Sequence, residues 1–256
     1  RSFCVVFFLC HVLKQKNTLS AGSRPGLWRR VQGVFPMEYH DRLHAIREDT
    51  VQAVLSTAYW LFLEHGIEDV SLADVARTAK IAPTSLYRYF GNKRNLVMQC
   101  GVLFWRQAML KLDPTHSVPG YDKKSGYEQA LALLRVFIRA YEEYPSHLRF
   151  LRDFDLFLER SHAAPAELTA YDEALSAWKT LAGNALHKGW ADGSIRRDLD
   201  FELFYYSITH ALLVLAQRLA SQPCLVDSDL REPPRRQLEM LVALAGAYMT
   251  PNASSA

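Results

Sequence analysis

The chain has 256 residues, which is long enough for one or two domains with their own hydrophobic cores. Hydrophobic residues make up 49% of it, and this share excludes an intrinsically disordered protein. The formal net charge is +3, but residues 1–36 contain six basic residues and no acidic one. Subtracting their +6 from the total leaves −3 for the remainder, which excludes a general polycation.

Residues 1–36 differ from the rest of the chain. Phe3 to Val12 is almost entirely apolar and can be interpreted as the core of a secretory signal. No small-x-small cleavage site follows it, however, and the stretch is too short to span a bilayer. We therefore expect residues 1–36 to be a leader, either disordered or upstream of a true start at Met37. A genuine N-terminal extension is the alternative.

Cysteine usage gives a second bound. Outside the leader only Cys100 and Cys224 remain, and neither belongs to a Cys-x-x-Cys pair or a Cys/His cluster. This pattern argues against a disulfide framework and against a zinc site, and it fits a reducing cytoplasm. The sequence therefore predicts a cytoplasmic protein with no metal and no cofactor.

Helical periodicity dominates from Met37 to the C-terminus, and no strand alternation or repeat interrupts it. The pattern predicts an all-α fold of nine helices. Their expected limits are a first helix ending at His65-Gly66, a second capped by Ser71, a third over the sequence PTSLYRYF, a fourth from Lys93 to Asp113-Pro114, a loop from Thr115 to Gly126, a fifth from Tyr127 to Tyr141, a sixth from Pro145, a seventh from Leu168 to near Gly189, an eighth from Phe201 to Ala220, and a ninth from Pro234 to Tyr248.

The stretch from Thr57 to Leu96 is the most informative part of the chain. It predicts a helix with a glycine stop, two short helices joined by a tight turn, and the start of a fourth helix. The second short helix places hydroxyls, two tyrosines and a guanidinium on about two turns. Between Arg77 and Leu96 there is no acidic residue but there are five cations, Arg77, Lys80, Arg88, Lys93 and Arg94. A helix-turn-helix surrounded by cations is typical of a protein that contacts nucleic-acid phosphates.

The same stretch resembles the N-terminal domain of the TetR (tetracycline-repressor-like) family of transcriptional regulators. The residues in register with that family's pattern are Ala58, Leu61, Phe62, Gly66, Ser71, Leu72, Val75, Ala76, Ala79, Ile81, Ser85, Leu86, Tyr87, Tyr89, Phe90, Lys93 and Leu96. Two positions depart from the pattern: Lys80 replaces the glycine of the turn, and Ala82 replaces the serine that caps the third helix. Lys80 must then adopt the turn geometry that glycine favours. The missing cap costs about 1 kcal/mol, partly offset by Pro83 at the first helical position.

The resemblance implies a set of DNA-binding residues, which are Ser71, Thr84, Ser85, Tyr87, Arg88 and Lys93. Leu86 and Phe90 form an apolar i, i+4 pair, so at least one of the two tyrosines must point outward. By resemblance Tyr87 contacts a phosphate and Tyr89 packs. The alternative for the tyrosines is core packing. For Thr84 and Ser85 it is the ordinary role of hydroxyls at a helix start, and for Arg88 it is a solvated surface charge.

For the helices beyond the fourth, the resemblance implies an effector cavity and a dimer interface. We expect an apolar or aromatic small molecule to contact Phe137, Tyr141, Phe154 and Trp178, with ordinary core packing as the alternative for each. We expect a homodimer held by the last two helices. Its predicted contacts are the apolar stripe Tyr205, Ile208, Leu212, Leu215 and Leu219.

These observations predict a DNA-binding domain at residues 37–96 and a helical ligand-binding and dimerisation domain at residues 97–256. The predicted function is a ligand-responsive transcriptional repressor that binds a pseudo-palindromic, double-stranded operator as a homodimer, without membrane association. No hydrolase, metalloprotease, P-loop or dinucleotide-binding motif occurs, so we do not expect an enzyme. The alternative is an all-helical ligand-binding or enzyme scaffold whose helix-turn-helix no longer reads DNA.

Overall fold

The computed structural model describes residues 35–162, 168–221 and 231–251, with side chains from Arg47 onward. It confirms the all-α prediction: these residues contain helices and connections but no strand. The helices are α1 (Phe35–His65), α2 (Leu72–Thr78), α3 (Pro83–Phe90), α4 (Lys93–Leu112), α5 (Pro114–Ser117), α6 (Gly126–Leu134), α7 (Val136–Glu143), α8 (Pro145–Ser161), α9 (Thr169–Asp192), α10 (Phe201–Ala220) and α11 (Pro234–Met249), with a 3₁₀ turn at Tyr121–Lys123. Among the described helices, none combines the length and the apolarity that a bilayer span requires.

Contacts between residues divide the chain after Ile46. Of the first unit, residues 1–46, the structure describes only the helical backbone from Phe35. The second unit, residues 47–256, contains the remainder of α1 and all the helices described after it. The predicted boundary between residues 96 and 97 lies inside this second unit and stays a prediction, and the predicted leader lies largely outside the described residues.

The predicted elements are wrong in three places. The expected loop from Thr115 to Gly126 contains the one-turn helix α5 and the 3₁₀ turn, because the Asp113 carboxylate accepts a hydrogen bond from the Thr115 amide (2.8 Å) and starts a helix there. The expected fifth helix is two helices, α6 and α7, which meet at Arg135. The expected seventh helix runs past Gly189 and ends only before Gly193, whose φ of 73° is left-handed.

Gly189 lies inside α9, at a point where α6 packs closely against this helix. A Cβ atom on Gly126, the first residue of α6, would lie 2.0 Å from the Gly189 amide nitrogen. The two helix backbones can approach this closely because Gly126 lacks a side chain, and a Cβ on Gly189 would lie 2.4 Å from the Ile195 side chain. The contact is completed by Asp192, whose carboxylate accepts a hydrogen bond from the Gly126 amide (2.8 Å). α9 therefore anchors the start of α6.

The hydrophobic core runs from α1 through α4 into α8. Phe62, Leu86 and Leu96 are fully buried in its N-terminal part. Further along α4, Gly101 lets a ring of α8 approach, since a Cβ there would lie 2.5 Å from the Phe154 ring. Phe154 in turn packs 5.0 Å from the Tyr171 ring, measured between centroids. α4 thus packs both against the helix-turn-helix and against helices that follow it.

Candidate nucleic-acid interface

α2 begins with a capping box between Ser71 and Asp74. The Ser71 hydroxyl accepts a hydrogen bond from the Asp74 amide (3.2 Å), and the Asp74 carboxylate accepts from the Ser71 amide (3.0 Å) and hydroxyl (2.6 Å). These bonds hold the pKa of Asp74 below its ordinary value. Asp74 also accepts a bond from Arg77 (2.5 Å). The Ser71 hydroxyl is therefore occupied in positioning α2.

The turn between α2 and α3 keeps the backbone geometry that glycine favours, although a lysine occupies the position. Lys80 has a φ of 56°, in the left-handed region that favours glycine, as the resemblance predicts. The turn is closed by the Ile81 amide, which donates to the Ala76 carbonyl (3.0 Å). The Lys80 side chain is exposed. The strained turn therefore carries a solvent-facing cation next to the start of α3.

α3 begins without a side-chain cap. Ala82 has the extended conformation of an N-cap residue (φ −66°, ψ 138°) but no hydrogen-bonding side chain, and Pro83 follows it. At the other end Gly91, with a φ of 73°, terminates the helix. Asn92 then caps α4 by accepting a hydrogen bond from the Asn95 amide (2.9 Å). Backbone geometry thus separates α3 sharply from its neighbours.

We expect Ala82→Ser to raise the free energy of unfolding by about 1 kcal/mol, because the new hydroxyl can accept a bond from an unpaired amide of the first turn of α3. Urea unfolding followed by circular dichroism measures the change. Ala177→Ser, at an exposed position inside α9, is the matched control and should be slightly destabilising. Equal effects of the two substitutions would show that the N-cap conformation of Ala82 is not realised in solution.

The two faces of α3 are distinct. Leu86 is fully buried and Phe90 is 3% exposed, so this apolar pair attaches the helix to the core. Tyr87, with 55% of its surface exposed, is the tyrosine that points outward. Thr84 and Arg88 are also exposed, whereas Ser85 is half-buried. Four of the predicted DNA-binding residues are thereby placed on one short helix, three of them facing solvent.

Tyr89 packs instead of pointing outward, as the resemblance predicts. Its ring lies beneath two guanidinium groups, with centroid distances of 5.2 Å to Arg88 and 5.9 Å to Arg47. Arg47, on α1, was not predicted as part of this surface. It precedes the segment that carries the pattern, and nothing in its local sequence distinguishes it from other basic residues of α1. Only the packing of α1 beside α3 reveals it.

Lys93 is the first residue of α4 and is half-buried. Its ammonium group donates a hydrogen bond to the Glu68 carbonyl (3.2 Å). The N-terminus of a helix favours an anion. The phosphate contact of Lys93 stays a prediction. Arg94, beside it, turns away and donates to the Ser161 carbonyl at the end of α8 (2.7 Å).

The four predicted effector contacts lie outside both the large groove and the small cavity of the described residues. Phe154 is completely buried, and Phe137, Tyr141 and Trp178 are half-buried. The structure has a small cavity of about 20 Å³ beside His147 and a large groove of about 1030 Å³ between α6–α7 and α11, and none of the four lines either. Burial lowers the pKa of His147 to about 4, with Lys111 adding to the effect, so this histidine is neutral near pH 7. An effector site at the four aromatics stays a prediction.

The predicted dimer stripe faces largely inward. Leu212 is 0% and Leu219 is 2% exposed within the single subunit, and the other three members of the stripe, Tyr205, Ile208 and Leu215, are half-buried. The large apolar side chains that α10 and α11 expose lie on another face; these are Leu203, Tyr206, Val214, Met240, Leu244 and Tyr248. Leu212 and Leu219 therefore pack on the subunit's own core, and a dimer interface at the stripe stays a prediction.

Comparisons with known proteins agree with this geometry. Residues 54–100 match the model of the bacterial regulatory proteins of the tetR family. The chain is also 37% identical over 51 residues to the uncharacterized HTH-type transcriptional regulator YdeS of Bacillus subtilis (strain 168). That match covers 20% of this chain and 26% of YdeS, so the chain spans about a quarter of the curated relative's length.

The fold has close counterparts among solved structures. The transcriptional regulator FadR of Bacillus subtilis, solved in complex with stearoyl-CoA, has a TM-score of 0.57 at 14% identity, covering 77% of this chain and 98% of FadR. The ketosteroid regulator KstR2 of Mycobacterium tuberculosis has a TM-score of 0.53 at 18% identity, covering 79% and 95%. The described residues therefore share the fold of these two regulators. In sequence, residues 54–100 of the chain match the tetR family of bacterial regulatory proteins.

Proposed function

We propose that the chain is a cytoplasmic transcriptional repressor that binds a pseudo-palindromic operator as a homodimer and is released by a small molecule. One observation carries the proposal. α3 buries Leu86 and Phe90 and presents Thr84, Tyr87 and Arg88 to solvent, so a short helix exposes two hydroxyls and a guanidinium on one side. Such a helix can enter a major groove, where side chains from its exposed face reach the base edges.

The six predicted residues have different roles in this proposal. Arg88, Thr84 and Ser85 would contact base edges, and Tyr87 and Lys93 would contact phosphates on either side. Ser71 would act mainly by fixing α2, since its hydroxyl already exchanges hydrogen bonds with Asp74. The exposed cation Lys80 adds to the attraction for the phosphate backbone.

Dimerisation is supported by the apolar face of α10 and α11. Leu203, Met240 and Leu244 are each more than half exposed on these two adjoining helices. Apolar side chains clustered in this way are typical of a surface that another protein covers. A second copy of the same face would bury them in a bundle of four helices. Two subunits then hold two α3 helices at the spacing of successive major grooves, about 34–36 Å.

Control by a small molecule is supported by how the end of α8 joins the DNA-binding helices. Arg160 of α8 pairs with Glu68 in the α1–α2 connection (3.2 Å), and Arg94 of α4 binds the Ser161 carbonyl. A ligand that favours one position of α8 therefore favours one position of the helix-turn-helix. The complex of Bacillus subtilis FadR with stearoyl-CoA supports the proposal that a protein of this fold takes a small-molecule ligand.

Selection from a random duplex library tests the proposal. The full chain should enrich a sequence with two related half-sites, whose centres lie about one helical turn apart. Its affinity for that sequence should exceed its affinity for an unrelated duplex by about 10³-fold or more at physiological salt. Retention of all duplexes without enrichment would contradict sequence-specific regulation and favour a protein that no longer reads DNA.

A further inference from the structure

The large groove between α6–α7 and α11 has an apolar floor. Leu131, Val136, Ile138 and Val242 line it, and Pro114 and Val118 close one side. Its volume of about 1030 Å³ is at the upper end of the range of small-molecule sites. The lining positions of α6 recur every three or four residues, so one continuous face of the helix borders the groove.

One end of the groove is shaped by a glycine. Gly246 of α11 faces the ring of Tyr127 on α6, and a Cβ at this glycine would lie 2.8 Å from the tyrosine oxygen. In the parts of the chain that the structure describes, the Tyr127 hydroxyl has no hydrogen-bond partner, and its residue is only half-buried. The groove therefore contains a polar group that can bind a ligand without first breaking a bond within the protein.

The acidic residues around the groove are already engaged. The Glu128 carboxylate accepts hydrogen bonds from the Ser125 amide (2.9 Å) and hydroxyl (3.0 Å), which lower its pKa. Glu142 and Glu239 both pair with Arg235, at 2.8 Å and 2.7 Å. The negative charge on the rim is thereby largely compensated by neighbours.

The cations of the rim differ from one another. Lys124 lies 3.9 Å from Glu128, and Arg139 donates to the Ser117 hydroxyl (2.9 Å) and pairs with Glu143 (3.4 Å). Arg135, at the junction of α6 and α7, is exposed, and its side chain has no ionic or hydrogen-bond partner among the described residues. It lies eight residues after Tyr127 on the same helical face, about 12 Å along the helix axis. The rim thus retains one uncommitted positive charge above an apolar floor.

We infer that this groove binds an elongated apolar molecule that ends in an anionic group such as a carboxylate. The apolar body lies on the floor of the groove, and the guanidinium of Arg135 pairs with the anion, which it can bind through two parallel hydrogen bonds. The Tyr127 hydroxyl binds a polar group elsewhere on the ligand. The inference rests on the proposed function only in that the helical domain takes an effector. Its location differs from the aromatic cluster around Phe154.

The test uses decanoate and its uncharged counterpart decan-1-ol, titrated calorimetrically into the full chain without DNA. Arg135→Gln should weaken decanoate binding about tenfold, as expected for a lost charge-assisted bond, and should leave decan-1-ol binding unchanged. Arg106→Gln removes another exposed cation, on α4 and outside the groove, and should change neither. Ala132→Trp fills the groove and should abolish the binding of both probes.

Three results would overturn the inference. These are absence of decanoate binding, an equal effect of Arg135→Gln on both probes, and a change in sedimentation of the Arg135→Gln protein, which would make the groove a contact between subunits. If Ala132→Trp fails to fold, the comparison of the two probes on Arg135→Gln decides alone. Duplex binding is measured separately without probe. A chain that binds its operator but not decanoate refutes the groove alone, whereas one that binds decanoate but no duplex refutes the proposed regulator.

Discussion

Arg88→Ala is expected to lower the affinity for the selected operator by about 1–3 kcal/mol and to relax base preference at one position of each half-site. Arg88 is exposed on α3, and its contacts within the protein are weak: a 3.4 Å hydrogen bond to the Tyr89 hydroxyl and a 5.2 Å approach to that ring. It can therefore turn toward a base edge at little cost. Binding measured against every single-base variant of the operator shows the relaxed position.

The comparison with Lys93→Ala makes this prediction specific. Lys93 lies at the start of α4, so its loss should weaken binding to all duplexes about equally. It should also reduce the slope of the logarithm of affinity against the logarithm of salt concentration by about one. Arg106→Ala, which removes an exposed cation of α4 far along the helix, is the control for net charge. If Arg88→Ala and Lys93→Ala give the same profile across base variants and salt concentrations, α3 is not the reading helix.

Leu244→Glu is expected to convert the proposed dimer into folded monomers. Leu244 is 54% exposed on α11, within the apolar face that α10 and α11 share, so the new carboxylate is solvated in the monomer but would be buried in the dimer. Sedimentation velocity measures the change, and circular dichroism shows whether the subunit stays folded. The monomer should also lose most of its affinity for the two-half-site operator, because the two α3 helices no longer bind together.

Two further variants locate the interface. Leu110→Glu, at a residue 75% exposed on α4, should leave the dimer intact. Leu212→Glu should unfold the subunit instead of separating two subunits, because Leu212 is completely buried within its own chain and an unpaired buried charge is strongly destabilising. A dimer that survives both Leu244→Glu and Met240→Glu would place the interface elsewhere.

Local sequence is sufficient to predict much of the DNA-binding domain. The Ser71 cap and the inward-facing pair Leu86 and Phe90 follow from interactions within a few residues, whereas the left-handed Lys80 and the uncapped start of α3 at Ala82 were implied by the resemblance. Capping hydrogen bonds, backbone preference and i, i+4 spacing are short-range effects. They act in almost the same way whatever the rest of the chain does.

Other features depend on which helix meets which. Gly189 has the sequence signature of a helix end, yet it lies inside α9, where a Cβ would lie 2.4 Å from the Ile195 side chain. The stripe through Leu212 shows that α10 has an apolar face but not whether a core or a second subunit covers it. The groove above Val242 brings α6, α7 and α11 together from distant parts of the sequence. Periodicity therefore determined that this protein is helical and how its third helix is oriented. Only tertiary packing decided which apolar faces are buried and where a cavity is left, because the burial of a face depends on the surface that packs against it.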